Sequence, residues 1–175
     1  MGLFDESHPD ADLDFLFAHM ALFHEWTEHT FASIAYDSQT DLWVDQKATL
    51  FFNYVVNKPH LMYLLLSDDE CFGFYHTNPI PHLSSHVVSL TDHPFFAFSL
   101  HRTPEPQAPH IFFFPPQQIP TLGVYTESAT KLLRIERTFT LFSDLHITTQ
   151  RRFLGDIPIP DKATELRRFL VFHFN

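Results

Sequence analysis

Three apolar runs between Lys58 and Arg102 constrain this chain more than any other feature. The first ends at Leu66, the second is Cys71-Phe72-Gly73-Phe74-Tyr75, and the third runs from Pro94 to Leu100. Only Ser67-Asp68-Asp69-Glu70 separates the first two. That pair therefore reads as a β-hairpin with an acidic turn, and the third run as another core strand. Twenty-one phenylalanines against four glycines point the same way, because Phe suits a pleated, half-buried surface. Prolines cluster at Pro79 with Pro81 and from Pro104 to Pro120. They mark loops and strand ends, since proline cannot donate to a sheet ladder.

The rest of the chain fits a β-dominated fold with a few helices. From Pro9-Asp10 a helix is expected, with Asp10, Asp12 and Asp14 at its positive end. Its apolar stripe is Leu13, Leu16, Phe17, Met20 and Phe23, continued by Trp26 and Thr27 and widened by Phe15 and Leu22. Phe31–Tyr36 reads as a short strand. Asp45 is expected to cap a helix over 46–57 that buries Leu50, Phe51, Tyr54 and Val55. Lys58-Pro59 stops it, because the residue before proline leaves the α region. Further strands are expected at His110–Phe114, Leu122–Thr126, Lys131–Arg137, Thr138–Phe142 and Leu145–Thr148, with Ser128 or Ala129 in a turn. Arg167–Phe174 is a breaker-free apolar run that belongs in a sheet. No internal repeat divides the chain. At 175 residues it forms one domain, here residues 31–175, with residues 1–30 as an acidic helical extension.

Charge is placed unevenly. The first 46 residues hold ten acids and no Lys or Arg, so the formal charge of −10 arises there. Such a chain lacks the basic stripe that binds phosphate backbones, and no nucleic-acid partner is expected. The acidic segment reads as a solvated helix face, with a docking surface for a basic partner or for self-association as the alternative. A single cysteine, Cys71, excludes an intramolecular disulfide framework and Cys-rich zinc sites. No apolar run reaches the length of a membrane span. The first ten residues resemble neither a signal peptide nor a complete myristoylation signal, where Glu6 replaces the required Ser or Thr. A cytoplasmic protein without membrane insertion is expected.

Candidate chemistry is thin. His24-Glu25-Trp26-Thr27-Glu28-His29 resembles a zincin motif, but its second His lies five residues on instead of four and faces another side of a helix. His82 and His86 have the right spacing but sit among Pro81, Ser84 and Ser85, in a loop, without a third ligand. Asp68-Asp69-Glu70 lacks the spacing of a calcium loop. Cys71 with a nearby His is the one thiol or hydrolytic option, and a His-rich metal binder is another. In a strand, however, His76 points to the face opposite Cys71. Cys71 therefore reads as a buried, inert thiol. No cofactor, metal or catalytic set is assigned. Arg151-Arg152 and Arg167-Arg168 are the only basic doublets, read as guards on exposed strand edges.

The order of these features resembles the TLDc domain family from about Phe31 to Phe174. The likeness rests on Ala35-Tyr36-Asp37-Ser38, the helix after it and the hairpin segment Asp69-Glu70-Cys71-Phe72-Gly73-Phe74-Tyr75. The strand Phe96-Ala97-Phe98-Ser99-Leu100 and the closing apolar run Phe169–Phe174 complete it. Gly73 stands alone where the family usually has a glycine pair, and the later glycine cluster is missing. The resemblance implies a two-sheet antiparallel β-sandwich flanked by a few helices, making the whole a β-dominated α+β fold. It also implies a non-catalytic protein-interaction module linked to oxidation resistance and to regulation of the vacuolar proton-pumping ATPase, with subunits of that pump as partners.

Overall fold

The computed structural model describes residues 10–40, 47–91, 94–102, 107–128, 130–159 and 164–175. Two helices, α1 (Ala11–Ala18) and α2 (Met20–Thr27), lead into strand β1 (Phe31–Asp37) and helix α3 (Lys47–Val55). The central hairpin is β2 (Leu61–Leu66) and β3 (Glu70–His76), followed by β4 (Val87–Leu90), β5 (Phe95–His101) and β6 (His110–Phe113). Next come β7 (Leu122–Tyr125), β8 (Lys131–Ile135), β9 (Phe139–Phe142) and β10 (His146–Thr149). Three two-residue strands, β11 (Phe153–Leu154), β12 (Ile157–Pro158) and β13 (Thr164–Glu165), precede the last long strand, β14 (Arg168–Phe174).

Twelve of these strands form two antiparallel six-stranded sheets, and β11 and β12 pair with each other. Sheet I has the order β1-β14-β2-β3-β5-β6, and sheet II has the order β13-β10-β9-β8-β7-β4. The fold is thus a β-sandwich with a few helices. The acidic tetrapeptide does close the β2–β3 hairpin, with the Ser67 N–H donating to the Glu70 carbonyl at 2.9 Å. Leu64 lies opposite Gly73, which lies opposite Phe98. A Cβ on Gly73 would stand 2.1 Å from the Tyr63 carbonyl oxygen and 2.7 Å from the Phe98 ring. Glycine is needed there because the Phe98 ring lies across it, covering the gap in the sheet.

Alternation along the sheet I strands divides the core in two. Tyr63, Leu65, Phe72, Phe74, Phe95, Phe169 and Val171 face sheet II, where Phe72 meets Phe139 edge-on at 5.6 Å. Met62, Leu64, Leu66, Cys71, Phe96, Phe98, Leu170 and Phe172 face the other way, against Leu16 and Phe23 of α1 and α2. The apolar stripe of the N-terminal helices is therefore turned onto the sandwich of its own chain.

Several local expectations change. The helix from Asp10 is broken at His19, whose φ of −96° and ψ of 7° separate α1 from α2. Phe17, expected in the stripe, is 43% exposed. In α3 the buried face is Ala48, Phe51, Phe52 and Val55, spaced i, i+3, i+4, i+7, while Tyr54 is exposed. The expected stripe shares Phe51 and Val55 with this face and is turned from it by roughly 80° at about 100° per residue, because Leu50, Phe51 and Phe52 are all apolar and only packing chooses which flank is buried. Strand β4 lies in what reads as a polar excursion, and Arg168 is buried within sheet I rather than on an exposed edge. The expected Asp45 cap and Ala129 fall outside the described residues.

Candidate functional site

The densest group of charged side chains lies where the N-terminal helices meet sheet I. Arg168 opens β14 and its guanidinium is buried, so its charge must be met by fixed acceptors. Its Nε and Nη2 donate to the two oxygens of Asp37, at 2.9 and 2.5 Å. Its Nη1 donates to both oxygens of Asp10, at 2.8 and 2.9 Å. Asp10 also caps α1, accepting from the Leu13 N–H at 3.1 Å. Burial works to raise the Asp10 pKa, but Arg168 and the backbone donors outweigh it and hold the carboxyl below its usual range. For Arg168, burial favours the neutral form and the two aspartates reverse that, leaving its pKa raised.

Asp12 joins a second pair of arginines to this group. It is 2% exposed and accepts from Arg102 Nη2 at 2.6 Å, with Arg167 Nε at 3.7 Å. Arg102 also donates to the Ser67 carbonyl at 3.3 Å and lies over the Phe15 ring at 5.2 Å. Arg167 reaches Asp68 at 3.6 Å. The expected solvated acidic face is corrected in part: Asp14, Glu25 and Glu28 are exposed, but Asp10 and Asp12 are not free. Asp10 and Asp12 are engaged by arginines of the sandwich, because burying the helix stripe carries the first helical turn onto the Arg-bearing end of sheet I. Four carboxylates and three guanidiniums thus form a clasp across chain separations of up to 158 residues. With its carboxylates so occupied, the cluster is built to hold the helices down.

The other candidate residues are scattered. Cys71 is fully buried on the helix-covered face of sheet I, and burial pushes its thiol pKa up, away from the nucleophilic thiolate. His76 lies on the opposite face, as alternation requires. Its Nδ1–H donates to the Asn78 carbonyl at 2.9 Å, which leaves Nε2 to accept from the Tyr63 hydroxyl at 3.0 Å. The zincin-like residues separate as well. His24 Nε2 accepts from the Phe31 N–H at 3.2 Å, while His29 lies against His60 with tilted rings whose centroids are 3.9 Å apart. Arg151 and Arg152 are exposed.

His82 and His86 do come together, lining one cleft of about 410 Å³ between α3 and the loop before β4. His86 lies 3.4 Å from Glu127, both side chains largely exposed. The floor is tied by the Thr49 hydroxyl donating to the Thr126 carbonyl at 2.8 Å and the Thr126 hydroxyl donating to the Ser85 carbonyl at 2.6 Å. The Ser85 hydroxyl donates to the Val87 carbonyl at 2.9 Å, so it is engaged in its own loop. No group of three or more metal-ligating side chains occurs among the described residues. The cleft offers a polar, open recess with one His–Glu pair at its rim.

The signal for the clasp was present in the sequence. An arginine pair at the start of a breaker-free apolar strand puts one guanidinium where it needs a buried acceptor, and the first 46 residues supply acids without local bases. What was missing was any indication of which acids would arrive. No protein-family model matches the chain, and no curated protein matches it. No helix among the described residues is long and apolar enough to cross a membrane.

Proposed function

We propose that this protein is a non-catalytic protein-interaction module of the TLDc type, acting in the cytoplasm. The observation that carries the reading is the placement of the segments behind the resemblance. Glu70–Tyr75, Phe96–Leu100 and Phe169–Phe174 lie within β3, β5 and β14, interior strands of sheet I in the order β14-β2-β3-β5. The most reactive side chain in them, Cys71, is sealed under the helices with its thiol pKa raised, which supports a scaffold over a thiol enzyme. On the resemblance, the partner is the vacuolar proton-pumping ATPase and the setting is resistance to oxidative stress.

The test is affinity capture with the full chain from a cell lysate, followed by identification of what is retained. Recovery of proton-pump subunits is the expected result. Capture that repeatedly returns none of them would sink the pump assignment.

A further inference from the structure

The three arginines of the clasp are matched by aspartates, but the cations of sheet II are not. A concavity of about 320 Å³ opens beside the β8–β9 turn, lined by Tyr125, Lys131, Arg134, Arg137, Thr140 and Gln150, with Glu136 as its one acid. Among the described residues, no carboxylate lies within ion-pair distance of Lys131, Arg134 or Arg137. Glu127 and Asp144, in the loops that follow β7 and β9, face His86 and His146 instead. In a chain of net charge −10, three unmatched cations around one hollow are a local reversal of sign.

The hollow is also shaped in advance. Arg134 lies between Gly123 and Thr140 in the sheet register. A Cβ on Gly123 would stand 3.1 Å from both Cγ and Nε of Arg134. The glycine thus leaves a slot in which the arginine stem lies flat, with its guanidinium carbon 5.9 Å from the centre of the Tyr125 ring. Lys131 approaches the same ring at 5.7 Å. Arg137 holds a positive φ of 59° in the tight β8–β9 turn, where the Thr138 N–H donates to the Ile135 carbonyl at 3.0 Å. That backbone region favours glycine or asparagine, so an arginine there is held against local preference.

We propose that this concavity binds the phosphate group of a small phosphorylated ligand. Two guanidiniums and an ammonium match the several oxygens and double charge of a phosphate ester, which a lone carboxylate would leave partly unused. The Thr140 hydroxyl and the Gln150 amide add neutral donors, and the volume lies at the lower end of small-ligand pockets. The ligand is either a free phosphorylated molecule or the phosphorylated headgroup of a lipid.

The experiment titrates the full chain with sodium pyrophosphate, following the melting temperature and binding heat against sodium chloride of equal ionic strength. A saturable upward shift is expected, with affinity at least about tenfold weaker in both Arg134→Gln and Arg137→Gly. Arg137→Gly relieves the positive φ and should melt no lower than the parent, so a loss of binding there is not a loss of fold. In parallel, sedimentation with phosphatidylcholine vesicles containing a phosphoinositide separates the two sources. Vesicle binding abolished by Arg137→Gly assigns a headgroup, and pyrophosphate binding without vesicle binding assigns a free ligand. No response in either arm, or responses unchanged in both variants, overturns the proposal.

Discussion

The two outer faces of the sandwich are built from the same kind of strand and end up opposite in character. On sheet I the outward residues Met62, Leu64, Phe98, Leu170 and Phe172 are buried under α1 and α2. On sheet II the outward row Ser89, Gly123, Arg134, Thr140 and Thr148 runs across β4, β7, β8, β9 and β10, with Ser89 and Thr148 exposed and Arg134 and Thr140 half-buried. The difference is written in the strands. Every residue of Leu61–Leu66 is buried, as are six of the seven in Phe95–His101, whereas Phe139–Phe142 alternates buried with half-buried. A strand that is apolar throughout needs cover on both faces, and an alternating one needs it on a single face. The helices of sheet I are therefore part of its core, and the bare face of sheet II is free to carry a site.

The largest effects should fall on the covered face. Arg168→Ala would leave Asp37 and Asp10 without their main partner and should cost about 3–5 kcal/mol. Phe23→Ala, which removes a buried ring packed on Phe98 and Phe172, should cost a similar ~3–5 kcal/mol. Urea denaturation checks both, with Trp26 fluorescence in a Trp43→Phe background as a local probe because the Trp26 ring lies 5.4 Å from Phe98. A cost near zero for either would mean that the helices are an appendage, and the contrast between the faces would collapse.

A smaller effect is expected from pH at the corner where α2 hands over to β1. His60 lies against His29 with tilted rings, its Nδ1 lies 3.1 Å from the Tyr75 hydroxyl, and His173 and Lys58 are close enough to act on it or on each other. Burial, then His29 and His173, hold the His60 pKa below its ordinary value; burial, then Lys58, do the same for His173. Both groups thus bind fewer protons folded than unfolded. Their contribution is complete above the unfolded value of about 6.5 and is lost as pH falls from there through the folded values. Denaturation midpoints should drop between pH 7 and 5, and His60→Gln should flatten the drop. An equally steep profile in the variant would assign the acid sensitivity elsewhere.

The smallest effect belongs to the bare face. Thr148→Val, on the outer side of sheet II, should change stability by no more than about 0.5 kcal/mol. A clear loss there would show that this face is covered after all, by something the chain alone does not provide.

Much of the fold was legible before the structure. The Ser67–Glu70 turn, the strand at Phe95–Leu100 and the closing strand at Arg168–Phe174 all follow from short-range alternation and punctuation. The offset in α3 shows where that reading weakens, since the three adjacent apolar residues Leu50, Phe51 and Phe52 fit two stripes and only the packing partner selects one. Strand β4 was hidden because an edge strand of four residues, with one buried side chain, leaves little periodic signal. The basic hollow was invisible for a related reason. Lys131, Arg134 and Arg137 look like ordinary surface charges along the chain, and their meaning depends on the absence of neighbouring acids in space.

By itself, the sequence determined that the chain would be β-dominated, that one hairpin would lie at its centre and that its cysteine would be buried. These are local matters, set by alternation, turn chemistry and the cost of exposing apolar side chains. Only the tertiary structure decided that the acidic first turn would close on Arg102, Arg167 and Arg168, and that the cations of sheet II would be left unmatched. Charge pairing depends on distance through space, and contacts joining Asp10 to Arg168 are set by how the sheets and helices pack, which no short window of sequence contains.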